Sequence, residues 1–140
     1  MAQYPQGIFQ TLTWLVKQVK ILLWKTRPYP YYKVYTALIS QTGTADPIVI
    51  VLQNELSGTI IWTRSSAGVY LGTLAGVFTS DKTTIFTTVN GTAGSVYPTA
   101  LIAGRTNSNE IFLLSNLTNS TGTPTDSMLA KTPIEIRIYN

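Results

Sequence analysis

The stretch KVYTALISQTGTADPIVIVL, residues 33–52, decides the fold class. Its opening alternates Val34, Thr36, Leu38 and Ser40 against Tyr35, Ala37 and Ile39, the period-two pattern of a strand with at least one buried face. Residues 42–47, TGTADP, supply the glycine, aspartate and proline of a turn. The run IVIVL at 48–52 is unbroken, which predicts a second strand covered on both faces.

The same alternation of short apolar runs and turn chemistry continues toward the C-terminus. Residues 55–58 predict a hairpin into a strand at 59–64, and 65–68 the next turn. Strands follow at 69–74 and 83–89, then a glycine-bearing loop at 90–95 of the kind hairpins use. Pro98 confines part of 96–104 to an edge or bulge. A strand is predicted at 110–115, the longest loop at 116–126 and a single helical turn near 127–131. The last strand, 134–139, alternates Ile134, Ile136 and Ile138 against Glu135, Arg137 and Tyr139. About eight strands at these spacings predict a mainly β protein, an antiparallel β-sandwich or jelly roll.

N-terminal to this series the pattern changes. Residues 28–31, PYPY, form a stiff extended connector, because each proline fixes its own φ and biases its predecessor away from helix. Before it, residues 8–25, IFQTLTWLVKQVKILLWK, read as one amphipathic helix. Ile8, Phe9, Leu12, Leu15, Val16, Val19, Leu22 and Leu23 fall in an apolar arc of about 140°. Ile8, Leu12, Leu15, Val19 and Leu22 keep the a/d rhythm of a short coiled coil, and Phe9, Val16 and Leu23 at e widen the stripe. Trp14, Ile21 and Trp24 interrupt the polar face. The organisation is therefore an N-terminal helix at 1–27 for oligomerisation or docking, a connector at 28–31 and a β domain at 32–140.

Three roles suit this helix. It packs on its own sheet, it bundles with copies or inserts into another protein, or it lies on a membrane surface with Lys17, Lys20, Lys25 and Arg27 at the headgroups. The membrane surface is the weaker reading, and Lys17 and Lys20 keep the apolar run below the roughly 20 residues that spanning needs. No charged segment precedes Ile8 and no small-residue cleavage site follows, which is unlike a secretory signal. A homo-oligomer is expected, with a trimer favoured because the apolar e positions exceed what a dimer seam uses.

The chain has 140 residues, of which only 11% are charged, so hydroxyls and amides carry its solubility. Its net charge of +4 is concentrated at the N-terminus, since residues 1–33 hold five of the ten basic residues and no acid. That distribution is no nucleic-acid footprint over the fold, so nucleic acid is not an expected partner.

The absence of cysteine and histidine excludes disulfides, thiolate chemistry, the usual neutral-pH proton shuttle and the commonest zinc ligand. The acids Asp46, Glu55, Asp81, Glu110, Asp126 and Glu135 lie mostly at turns or strand ends, where capping explains them. No catalytic residue, metal site or cofactor is expected, and no enzyme. Three Asn-x-Ser/Thr sequons, at Asn90, Asn116 and Asn119, match a pattern too short to imply secretion. Trp62, Tyr70, Tyr97 and Phe86 are the rings available to stack on a glycan, with core packing as the competing role.

At PYYKVYTALISQ, residues 30–41, and PIEIRIYN, residues 133–140, the chain resembles small uncharacterised β proteins of tailed phages and phage-rich environmental sequences. The resemblance implies a bacteriophage virion component such as a capsid decoration, head fibre or tail protein, with other virion proteins as partners. It carries over no functional residue. The expected function is non-enzymatic virion assembly through the N-terminal helix, and the alternative is a carbohydrate-binding module for a host or matrix glycan.

Overall fold

The computed structural model describes residues 7–25, 31–89, 100–116 and 123–140. The chain divides into two compact units, Met1–Tyr31 and Tyr32–Asn140. Among its described residues the first holds one helix, α1 (Ile8–Lys25), the extent the apolar period predicts. Thr11 and Thr13 donate their hydroxyls back to Gly7 O and Phe9 O, at 3.0 and 2.8 Å.

Among the described residues the second unit holds eight strands: β1 (Tyr32–Ser40), β2 (Ile48–Asn54), β3 (Ile61–Ser66), β4 (Val69–Thr73), β5 (Thr83–Thr87), β6 (Ala100–Asn107), β7 (Glu110–Asn116) and β8 (Thr132–Tyr139). They form two four-stranded antiparallel sheets, ordered β2-β1-β8-β5 and β3-β4-β7-β6. Three hairpins, β1–β2, β3–β4 and β6–β7, come from sequence neighbours. The β1–β8 pairing joins the two ends of the unit over eight matched positions, from Tyr32↔Tyr139 to Ile39↔Thr132.

Period-two alternation sends one set of side chains from each sheet into a shared core. Tyr35, Ala37 and Ile39 of β1 and Ile134 and Ile136 of β8 meet Trp62 of β3, Tyr70 of β4 and Ile111 and Leu113 of β7 in one buried cluster. Phe78 and Leu129 close it from the loops.

Four expectations are corrected. The run at β2 is not covered on both faces: β2 is the outer strand of its sheet, and apart from Val49 its residues are exposed. Residues 55–58 do not turn a hairpin, because β2 and β3 belong to different sheets. Instead Leu56 and Ile60 drive into the core as the chain crosses, while Asn54 braces the bend by accepting from Leu56 N at 2.9 Å and donating to Gly58 O at 2.9 Å. β5 and β6 also lie in different sheets, so no hairpin joins them, and the loop expected at 90–95 lies outside the described residues. Residues 127–131 form no helical turn; Ser127 and Lys131 adopt positive φ of 63° and 49°, which interrupts helical geometry.

Candidate interaction surfaces

On α1 the predicted stripe is open to solvent. Ile8, Phe9, Leu12, Leu15, Val16 and Val19 are all about half exposed or more, with Phe9 at 83%. Trp14 and Ile21, on the other side, are exposed as well. The side chains of Leu22 and Leu23 fall outside the described residues. Isolated large apolar residues on a surface are ordinary, but a continuous row along one helix marks a contact surface. Among the described residues, no helix is long and apolar enough to cross a membrane.

The outward face of the first sheet has two characters. Toward β5 it is aromatic and charged: the Arg137 guanidinium lies 4.9 Å from the ring centres of both Tyr32 and Phe86, and its Nε donates to Glu135 Oε1 at 2.6 Å. The Tyr32 and Tyr139 rings meet at 5.2 Å. Toward β2 it is aliphatic, because the register sets Ile50 beside Leu38 and Leu38 beside Pro133, with Ile48 beside Ser40. Ile48 is 73% exposed and Ile50 51%.

The polar cluster at one end of the two sheets is a structural tie. The buried Gln41 donates from Nε2 to Gly43 O (2.7 Å) and Ala45 O (3.0 Å), while its Oε1 accepts from Tyr70 Oη (2.9 Å) and Ser127 N (2.7 Å), which saturates the amide. Asp126 accepts from Arg64 Nε and Nη2 at 3.0 and 2.6 Å and from Gly68 N at 2.9 Å. The Arg64 guanidinium, above all, holds the Asp126 carboxyl below the usual carboxylate range. Burial pushes the Tyr70 hydroxyl up. No nucleophile–base pair arises here among the described residues, and Gln41 and Asp126 are spent on groups of their own chain.

Two of the other acids, Asp46 and Glu55, serve the same purpose. Asp46 accepts from Arg64 N at 2.7 Å, and Glu55 accepts from Val34 N at 3.1 Å and Gln53 Nε2 at 2.8 Å. Asp81 sits at a turn with φ 59°. Among the described residues no three of His, Cys, Asp and Glu gather where they could hold a metal ion.

Two of the rings proposed for sugar stacking are not available as a platform. Tyr70 is fully buried and Trp62 is 6% exposed, both in the shared core, because β3 and β4 turn these positions inward. Tyr97 lies outside the described residues, and the exposed Phe86 is engaged by Arg137. A shallow groove lined by Thr59, Ile61, Thr73, Asn107, Asn109 and Glu110 offers amides and hydroxyls, but its lining has no aromatic ring. Sequence reasoning missed the aliphatic corner at Ile48 and Ile50. Its signal was present in the uncharged IVIVL run, which fits an exposed contact strand as well as a covered one.

Compared with protein-family models, curated proteins and solved structures, the chain has no significant match.

Proposed function

We propose that this chain is a non-enzymatic structural protein of a bacteriophage particle, a capsid decoration, head fibre or tail component, whose copies assemble through α1 as a homotrimer. Its β unit is read as a β-sandwich; the shared core between two four-stranded sheets supports this, and sequential hairpins in both sheets favour a plain sandwich over a jelly roll. The observation that carries the assembly reading is the exposed stripe of Ile8, Phe9, Leu12, Leu15, Val16 and Val19, which costs solvation in a lone chain and is matched by burial in a bundle. The virion setting rests on the resemblance at residues 30–41 and 133–140. The glycan-binding alternative is weaker, since two of its stacking rings are core residues.

Light scattering of the full chain tests the seam. Wild type should weigh about three chains, and a Leu15→Glu, Val19→Glu double variant one chain at dilute concentration, because unpaired charges in a closed seam cost several kcal/mol, roughly 2–7 per buried polar group. Far-ultraviolet circular dichroism should keep its β signature in both. A wild type of one chain across the accessible range would discard the seam.

A further inference from the structure

β2 differs from the other three sheet edges. β5 is five residues long and preceded by Asp81 and Lys82. β3 carries Arg64 and a bulge between Arg64 and Ser66, and β6 carries Arg105 and a bulge between Arg105 and Asn107. Short length, charge and bulges are the devices by which an edge resists pairing. β2 has seven residues, no charge and no proline, and its single irregularity, at Leu52, leaves 48–51 in regular register. Ile48, Ile50, Val51 and Leu52 are all close to half exposed or more. An apolar strand with unpaired backbone donors and acceptors is a template for another strand.

We propose that β2 is a self-pairing edge, at which two copies of this chain join antiparallel, β2 to β2 and centred on Ile50, to make one continuous eight-stranded sheet. The occupant is a second copy because the strand complements itself. About a two-fold axis at Ile50, Val49 meets Val51 and Ile48 meets Leu52, so each pair is apolar and branched. The flanking acids Asp46 and Glu55 lie outside the strand. Both are also drawn back into their own chain, Asp46 by Arg64 N and Glu55 by Val34 N and Gln53. The aliphatic corner of Ile48, Ile50, Leu38 and Pro133 then meets its own image, extending one apolar surface across the axis.

A contact of about five residues per chain buries less than the roughly 800 Å² per partner of a standard interface, so it is weak alone. Copies held by another seam would raise its occupancy through an effective concentration on the order of millimolar. The pairing does not rest on the helical seam, and its test removes that seam.

The chain has no cysteine, so a single introduced thiol reports one position. In the full chain carrying Leu15→Glu and Val19→Glu, Ile50→Cys, Ile48→Cys and Ile61→Cys are each oxidised mildly at high concentration and scored for covalent dimer. Across the proposed axis the two residue-50 Cα atoms stand about 4.5–5.5 Å apart, within the roughly 4.4–6.8 Å that a disulfide spans. The two residue-48 Cα atoms stand about 13 Å apart, four strand steps. Ile61, exposed on the β3 edge of the other sheet, is the control. Ile50→Cys should give roughly tenfold more dimer than either other position. No dimer at residue 50 would overturn the proposal. Equal dimer at 48 and 50 would do so as well, since parallel in-register stacking or random collision yields that result. The helical seam is judged separately, by the mass of wild type against the Leu15→Glu, Val19→Glu variant.

Discussion

Two tyrosines at the centre of the core predict opposite responses to the same change. Tyr70 Oη donates to Gln41 Oε1, and removing it leaves that acceptor with Ser127 N alone. Among the described residues Tyr35 Oη and its neighbour Trp62 Nε1 are both buried without a hydrogen-bond partner, and burial pushes the Tyr35 hydroxyl up. Tyr70→Phe should therefore lower urea-unfolding stability by about 1–2 kcal/mol, whereas Tyr35→Phe should leave it unchanged or raise it by up to about 1 kcal/mol. A loss at Tyr35→Phe equal to that at Tyr70→Phe would mean that its hydroxyl is bonded. Both residues were visible in the sequence as large β-strand aromatics, but the alternation of Tyr35, Ala37 and Ile39 with Val34, Thr36, Leu38 and Ser40, apolar residues in both sets, did not say which set faces inward. Their partners were not visible, because Gln41 and Tyr70 are 29 positions apart and meet only after two hairpins close.

The Asp126 tie fastens one strand and two connections at one end of the β unit. Arg64 lies in β3, Gly68 in the β3–β4 turn, and Asp126 in the segment that leads to β8. The folded carboxyl titrates below its unfolded counterpart, so its contribution is fully present above the unfolded value of about 3.9. It is lost as pH falls from there through the lower folded value. Thermal melts of wild type should lose stability over that acid window, and Asp126→Asn should be less stable at neutral pH with a shallower acid slope. An unchanged slope in the variant would place the acid sensitivity elsewhere. Sheet order was equally hidden at the element scale. Local sequence marks strands and hairpins, so β1, β4, β7 and β8 were legible within a few residues, but it does not say which strand ends a sheet. That is why IVIVL read as covered, and why Leu56 in an expected turn and Ile60 in the expected strand after it were not recognised as anchors of a crossing between sheets.

For the molecule as a whole, the residues of the buried core cluster all belong to Tyr32–Asn140. Residues 32–140 expressed alone should melt in one cooperative transition, followed by circular dichroism; a broad, noncooperative melt would make the helix part of the folding unit. The two-unit organisation was readable from the change of period at residues 28–31, while the use made of the helix stripe and of the β2 edge depends on surfaces that one chain does not bring together. The β1–β8 pairing has a further consequence. Since Tyr32 and Tyr139 are register partners at the centre of their sheet, the start and finish of the β unit are adjacent in space. A short peptide bridging these two positions would close the β unit Tyr32–Asn140 into a ring without breaking a strand.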